Sequence, residues 1–328
     1  MRLYTLDVMK AIAAFFVITL HVGLFKEFNH FYGEIIRLSG RWAVPFFFMV
    51  TGFFIGSKGL EDRLGGQALK IGKIFLISSL MYLPYIYIKH DFSADKISER
   101  VMSDTVIISG MSFHLWYLSS LMFGLVTFKL LIQRVSMRTM WAVSAGIVCA
   151  YFAVDLFPDL TQNENWFRHF ISLPCLFIGY VVSGMDRNKI QMPVVYTVLT
   201  ISLIGIYGLP YLLQGDDTRS IILRQFPIFV IPFCIALMLI GVKSQMNNNV
   251  IADIGRDYSL LIYTSHPIWM WILKEWVLPH SWQTDIVVAM ITFAVATVFA
   301  IALKYYWARA FGLLNGDFVL RKAIKAGA

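Results

Sequence analysis

Long apolar stretches alternate with short polar segments along the whole chain. A helix that crosses the hydrocarbon layer of a membrane, roughly 30 Å thick, needs about 20 mostly apolar residues. A window of that length gives ten candidate spans. They cover approximately residues 8–25, 41–57, 72–89, 113–133, 139–157, 169–185, 193–213, 226–242, 257–275 and 284–307. The pattern therefore predicts an all-α fold, a polytopic membrane bundle of about ten transmembrane helices.

One membrane domain over residues 1–328 is expected, because no internal repeat or low-complexity segment interrupts the pattern. Pro45, Pro174 and Pro232 fall inside predicted spans. A proline removes a backbone hydrogen bond from a helix interior, so we expect kinks at these positions. All three cysteines lie in apolar runs, and we interpret them as small hydrophobic core residues.

The composition agrees with a membrane protein, since 58% of the 328 residues are hydrophobic and only 15% are charged. Soluble domains carry about 25% charged residues, so a soluble or disordered chain is excluded. The formal net charge is +8. Lys and Arg concentrate in cytoplasmic loops of membrane proteins, and no nucleic-acid-binding motif is present. With both termini in the cytoplasm, cytoplasmic segments hold 18 of the 28 Lys and Arg residues, and we predict this orientation.

The first predicted span carries Asp7, Lys10 and His21 in an otherwise apolar segment. Lys10 and His21 are eleven residues apart, which places them on one helix face, about 16 Å apart along the axis. Asp7 precedes Lys10 by three residues, a spacing that allows an ion pair. Ionisable residues inside a membrane are costly and indicate function. On spacing alone, a lysine extended to the membrane surface and a histidine bonded to a neighbouring helix explain the pattern equally well.

Two later spans also carry polar side chains that a lipid-facing helix would lack. His114 and Trp116 lie at the predicted outer end of the fourth span, where aromatic residues are typical of the membrane interface. Tyr258, Ser259 and His266 lie at helical spacings in the ninth span. A polar stripe of this kind usually faces a cavity.

A predicted cytoplasmic loop before the third span ends in Lys70 and Lys73. Closely spaced cations at a membrane surface suit a polyanion such as a nucleotide phosphate. They equally suit anionic lipid head groups, and the residues alone leave both interpretations open.

Four segments together resemble one known family. They are Leu6-Asp7-x-Met9-Lys10-x-Ile12-Ala13 followed by His21, then Val44 to Phe53, His114 to Leu118, and Gly255 to Pro267. In this order they resemble the motifs of the acyltransferase 3 family of integral membrane acyltransferases, which modify bacterial surface glycans. Lys10 stands where arginine is common in that family, and Thr51 stands in place of a serine.

The resemblance implies an acyl-CoA-dependent O-acyltransferase of the bacterial inner (cytoplasmic) membrane. It would move an acyl group, acetyl in the commoner case, from cytoplasmic acetyl-CoA to a hydroxyl of a cell-surface or lipid-linked sugar. His21 would act as general base or transient acyl carrier, with Lys10 and Asp7 completing the catalytic group. Lys70 and Lys73, together with Lys10, would bind the phosphates of the donor.

The sugar would contact residues from the outer motifs, and His114, Trp116, Tyr258, Ser259 and His266 are the candidates. No metal is expected. Buried polar residues in many helices also suit a transporter or flippase of a lipid-linked sugar or a small acid, although no inverted repeat is present. A membrane-embedded sensory module without chemistry is the third hypothesis. Consumption of acyl-CoA distinguishes an enzyme from a transporter, and a His21→Ala variant without any phenotype would favour the sensory module.

Overall fold

A computed structural model describes residues 2–317 except 26, 29, 91, 157–167, 215–226, 228, 280 and 282. The regular elements in these ranges are helices, with no strand among them. In chain order the α-helices are α1 (Tyr4–Val22), α2 (His30–Leu38), α3 (Ala43–Ser57), α4 (Leu64–Lys89), α5 (Ala94–Val101), α6 (Val106–Ser109), α7 (Trp116–Ile132), α8 (Met137–Leu156), α9 (Ser172–Ser183), α10 (Met192–Gln214), α11 (Val230–Lys243), α12 (Val250–Asp257), α13 (Ser259–Ile272), α14 (Asp285–Tyr306) and α15 (Ala308–Leu314).

Each of the ten predicted segments overlaps one of these helices. Five helical stretches are long and apolar enough to cross a membrane, namely Tyr4–Val22, Ile35–Ser57, Glu61–Lys89, Phe113–Ile132 and Asp285–Tyr306. Four shorter apolar stretches, Met137–Ala153, Ser172–Ser183, Met192–Gly208 and Val230–Lys243, accompany them. The described part of the chain is thus all-helical, with several apolar helices typical of a multi-pass membrane protein. The number of ten spans and the cytoplasmic position of both termini stay predictions.

The predicted kinks at the three prolines are wrong, and the reason is the same for each. Pro45, Pro174 and Pro232 each lie in the first turn of a helix, in α3, α9 and α11 respectively. The backbone N–H groups of a first turn have no partner within the helix, so a proline there breaks no hydrogen bond. Prolines that do lie inside helices include Pro84 in α4, Pro210 in α10 and Pro267 in α13.

The cysteines divide into two kinds. Cys175 and Cys234 are buried, as their apolar surroundings predict. Cys149 is exposed on α8, so the expectation that it belongs to the core is wrong. Its helix is apolar on all sides, and sequence periodicity therefore could not indicate which face turns away from the bundle.

Helices α3 and α9 cross at a pair of glycines. A Cβ atom placed on Gly52 would collide with the backbone carbonyl of Leu176, and one placed on Gly179 would collide with the carbonyl of Met49. The two backbones therefore approach each other reciprocally, which is how small residues let membrane helices pack.

Helix α1 occupies the middle of the bundle and contacts α3, α11, α12, α13 and α14. At Gly255 in α12 the approach is so close that a Cβ atom would collide with the carbonyl of Asp7. The helix begins at Tyr4, four residues before the start that the apolar pattern predicts. Asp7 and Lys10 consequently lie inside the helix rather than at its entrance.

The far end of α1 is capped by side chains from other elements. Lys274 Nζ donates to the carbonyl of Val22 at 2.7 Å, and the Arg37 guanidinium donates to the carbonyl of Gly23. Lys274 Nζ also lies 3.6 Å from the carboxylate of Asp285. Cations at a helix C-terminus satisfy its unpaired carbonyls and complement its dipole. This cap fixes the end of the helix directly after its histidine.

Candidate active site

The ion pair predicted from spacing is present. Lys10 Nζ lies 2.7 Å from Asp7 Oδ1, and the two side chains are only 12% and 8% exposed. Lys10 Nζ is also 6.0 Å from the ring centre of Phe54. The partner carboxylate offsets much of the cost of placing a lysine inside the bundle.

Three histidines from distant parts of the chain meet at the other end of α1. The ring centre of His21 lies 5.3 Å from that of His266 and 6.3 Å from that of His114, and the last two are 5.2 Å apart. The ring of Phe113 packs edge-on against His21 at 5.1 Å. His114 and His266 are fully buried, while His21 is partly accessible. We call His21, His114 and His266 the histidine cluster.

Both ring nitrogens of His114 have partners. Its Nδ1 lies 2.9 Å from the hydroxyl of Ser112, and its Nε2 lies 3.3 Å from the hydroxyl of Tyr82. The Tyr82 hydroxyl in turn donates to the carbonyl of Thr264 at 2.8 Å. These bonds tie α4 and α13 to the start of α7 and hold the His114 ring in place.

Two cavities lie on either side of this cluster. The first, the Lys10 cavity, has a volume of about 230 Å³ and is lined by Lys10, Thr51, Tyr117, Ser259 and Tyr263 together with apolar side chains. The second, the His21 cavity, has a volume of about 830 Å³ and is lined by His21, Ser112, Phe113 and residues from α4, α5 and α13. The larger cavity is much the more polar of the two.

Tyr263 separates the Lys10 cavity from the histidine cluster. Its ring lines that cavity, and its centre lies 5.5 Å from that of His114 and 6.1 Å from that of His266. Its hydroxyl donates to the backbone carbonyl of His114. Tyr263 therefore borders the Lys10 cavity and contacts the histidine cluster as well.

Charged side chains of both signs surround the mouth of the His21 cavity. Lys96 Nζ lies 2.7 Å from Glu99 Oε2, and this hydrogen bond lowers the pKa of the glutamic acid below its ordinary value. Arg100 donates to the hydroxyl of Thr105 at 2.9 Å and to the carbonyl of Gly110 at 2.9 Å. The arginine thus fastens the loop that leads to the histidine cluster.

Three of the residues predicted to contact sugar lie away from the cluster. Trp116 stacks under the guanidinium of Arg168 at 4.9 Å. Tyr258 lies under Lys304 Nζ, 5.1 Å from its ring centre. Ser259 lines the Lys10 cavity, and its hydroxyl donates to a carbonyl of the preceding turn at 2.7 Å. The structure brings together His21, His114 and His266 and does not bring these three to them.

Lys70 and Lys73 lie one turn apart on α4, and Ile71 between them lines the Lys10 cavity. Lys73 is exposed, whereas Lys70 is half-buried against the backbone near Gly316. Both are therefore close in sequence to the cavity without being among its described lining residues. Within the described ranges, no group of three or more His, Cys, Asp or Glu side chains is arranged to hold a metal ion.

Sequence reasoning missed Tyr82 and Ser112, which hold His114. Tyr82 is one of several tyrosines in an apolar helix, and no local signal distinguishes it. Tyr263 belongs to the polar stripe of α13, but only the structure shows that it stands between the cavity and the cluster.

The helices and the buried polar cluster define an integral membrane protein with a candidate active site between two cavities. A family model described as "Acyltransferase domain" (Acyl_transf_3) matches residues 3–305. The chain belongs to this family. The match extends over nearly all of the sequence and confirms the resemblance drawn from the four motifs.

The curated relatives carry a different kind of name. An "Amino-acid racemase" of Enterococcus faecalis is 26% identical over 284 residues, which are 80% of this chain and 40% of that protein. A "Serine/alanine racemase" of Enterococcus gallinarum is 26% identical over 169 residues, which are 48% of this chain and 24% of that protein. The chain thus spans less than half the length of these relatives. No solved structure matches it.

Proposed function

We propose that this membrane acyltransferase moves an acetyl group from cytoplasmic acetyl-CoA to a hydroxyl of a cell-surface or lipid-linked sugar at the bacterial cytoplasmic membrane. The observation that carries the proposal is the histidine cluster between two cavities, with Lys10 on one and His21 on the other. A reaction that joins a donor from one side to an acceptor from the other requires this arrangement.

The donor enters on the side of Lys10. The arm of an acyl-CoA is narrow and runs from a pyrophosphate to a thioester. The small, mainly apolar cavity suits this arm, and Lys10 supplies a cation beside it. Lys70 and Lys73 on α4 supply further cations near this entrance for the phosphates. Lysine binds phosphate as a point charge without the two-pronged geometry of arginine.

The acceptor enters the His21 cavity, whose volume of about 830 Å³ and polar lining suit a sugar. His21 takes the proton of the attacking hydroxyl as its oxygen bonds to the thioester carbon. The carbon–sulfur bond breaks, and the proton passes to the departing thiolate to give CoA. The products are an O-acetylated sugar and free CoA. In the acyl-carrier variant of this mechanism, the acetyl group rests on His21 between two such transfers.

Racemisation is not part of this proposal. The names of the relatives describe proteins of which at most 40% aligns with this chain. The second candidate function is transport of a lipid-linked sugar or small acid. The two cavities are compatible with it, because a transporter also needs access from both sides. A transporter would not consume acyl-CoA.

The decisive experiment measures release of CoA from acetyl-CoA by the purified chain in detergent, with a crude extract of de-O-acetylated bacterial envelope glycans as acceptor. We expect release that depends on the glycans and [¹⁴C]acetyl label that becomes attached to them. If folded protein releases no CoA from acetyl-, propionyl- or succinyl-CoA, acyl transfer is wrong and transport becomes the better hypothesis.

Replacement of Lys10 by methionine is expected to raise the KM for acetyl-CoA by about 10- to 100-fold with little change in kcat, since a hydrogen bond to a charged group contributes about 1.5–3 kcal/mol. Steady-state kinetics at varied acetyl-CoA concentration checks this. Lys10→Arg preserves the charge beside Asp7, and we expect its KM to stay near that of the wild type.

The matched control is Lys129→Met. Lys129 lies on α7 and is not among the described residues that line the Lys10 cavity. An equal rise in KM for both methionine variants would show that general surface charge, rather than contact with the donor, governs binding.

A further inference from the structure

Pro267 determines the hydrogen bonding of the histidine that precedes it. In an α-helix the N–H of residue 267 would bond to the carbonyl of residue 263. Proline has no N–H, so the carbonyl of Tyr263 inside α13 lacks its regular donor. His266 supplies a substitute, because its Nδ1 lies 2.7 Å from that carbonyl.

This bond fixes the tautomer of His266. A carbonyl oxygen only accepts hydrogen bonds, so Nδ1 carries the proton and Nε2 of the neutral ring presents a lone pair. That nitrogen is fully buried and has no hydrogen-bond partner among the described residues. A buried acceptor without a partner destabilises the folded state, so a native structure that contains one calls for an explanation, and a role in the chemistry is one.

Among the three histidines, His114 has no nitrogen to spare. The Tyr82 hydroxyl gives its only proton to a backbone carbonyl, so its oxygen accepts from Nε2–H of His114. Nδ1 of His114 then accepts from Ser112. The His21 ring lines the larger cavity and makes ring contacts with Phe113, His114 and His266 rather than a hydrogen bond that would occupy its nitrogens within the described part of the chain. The nitrogens left for chemistry are those of His21 and Nε2 of His266.

We infer that His266 is a positioning residue whose Nε2 accepts a hydrogen bond from the ring of His21 during acyl transfer. The inference rests on the proposed function. The two rings are stacked, with 20° between their planes and their centres 5.3 Å apart. In the stacked arrangement the N–H groups and lone pairs lie in the planes of their own rings, so the hydrogen bond forms when the His21 ring rotates and turns an N–H edge toward Nε2. Ring centres this close leave room for a nitrogen–nitrogen distance of about 3 Å after that rotation.

The chemical consequence concerns the charge on His21. When one nitrogen of His21 takes the proton of the acceptor hydroxyl, the ring becomes an imidazolium with an N–H on each side. Nε2 of His266 accepts from the second N–H and stabilises that cation, while the first N–H faces the reacting atoms. His266 itself neither gains nor loses a proton. The proton that His21 received leaves with the CoA thiolate, so the cycle closes.

Two variants distinguish the roles of the two ring nitrogens of His266. In His266→Asn the amide nitrogen takes the place of Nδ1 and still donates to the carbonyl of Tyr263, but nothing replaces Nε2. In His266→Gln the side-chain oxygen reaches the place of Nε2 and accepts there. We expect His266→Asn to lower kcat by about 10- to 100-fold, as loss of an orienting partner typically does, with an unchanged KM for acetyl-CoA. His266→Gln is expected to recover most of the lost kcat.

The measurement is CoA release by the full chain from acetyl-CoA with the envelope-glycan extract, together with the unfolding midpoint of each variant. Equal loss in both variants alongside lower midpoints would make the role structural and overturn the inference. Wild-type kcat in His266→Asn, or a rise in KM alone, would overturn it as well. If the wild type releases no CoA, the proposed function fails, which is a different result from activity that ignores His266.

Discussion

His21→Ala is expected to lower kcat for acetyl transfer by about 10²–10⁴-fold, the usual contribution of a general base. His21 is the member of the histidine cluster that lines the larger cavity, where the acceptor hydroxyl would lie. The cap on the end of α1 fixes the position of His21. The helix therefore cannot shift to bring a neighbouring residue into the place of a substituted His21. Initial rates of CoA release at saturating acetyl-CoA measure the effect.

The control for this variant is His90→Ala. His90 lines the same cavity but lies outside the histidine cluster. We expect its kcat to remain within about threefold of the wild type, because His90 is exposed to solvent and is not a member of the cluster. If His21→Ala retains wild-type kcat, His21 is not in the chemistry, although acyl transfer itself would stand.

Gly52→Ala is expected to destabilise the fold by about 2–3 kcal/mol, at the upper end of what overpacking usually costs. The added Cβ would collide with the carbonyl of Leu176, which is backbone and cannot rotate away. Helices α3 and α9 would have to separate along their whole contact, including the reciprocal approach at Gly179. Unfolding in mixed micelles of increasing SDS content reports the free energy of unfolding.

Gly146→Ala provides the comparison, because nothing lies within 4 Å of a Cβ atom at Gly146 on α8. Alanine is favoured over glycine in a helix by about 0.5–1 kcal/mol, so this variant should be as stable as the wild type or slightly more stable. A Gly52→Ala protein that matches Gly146→Ala would show that the α3–α9 contact adjusts without cost.

The apolar pattern predicted the helices well, because each long segment is helical whichever neighbours it has. It also predicted the Asp7–Lys10 ion pair, since both residues lie on one helix and helical geometry alone sets their separation. The family motifs added His114 and His266, but as separate candidates. That they form one cluster with His21 depends on how three helices pack, and no local periodicity contains this information.

Other contacts in the site could not be predicted from the sequence for the same reason. Trp116 and Tyr258 lie in the predicted motifs, yet the contacts of Trp116 with Arg168 and of Tyr258 with Lys304 turn them elsewhere. Tyr82 holds His114 from a helix without any motif. The predicted proline kinks were wrong because the effect of a proline depends on its distance from the start of its helix. The apolar pattern locates that start only to within a few residues.

Pro267 has a consequence for attempts to make this protein more robust. Its helix lacks one backbone hydrogen bond, so a residue with an N–H at this position would be favoured in any selection for thermal stability alone. After the same substitution, the new backbone N–H would donate to the carbonyl of Tyr263. His266 Nδ1 would lose this acceptor, and the tautomer of His266 would no longer be fixed. Stability and catalysis are thus opposed at this residue, as is common at active sites, and heat-selected variants that change it should melt later and turn over more slowly.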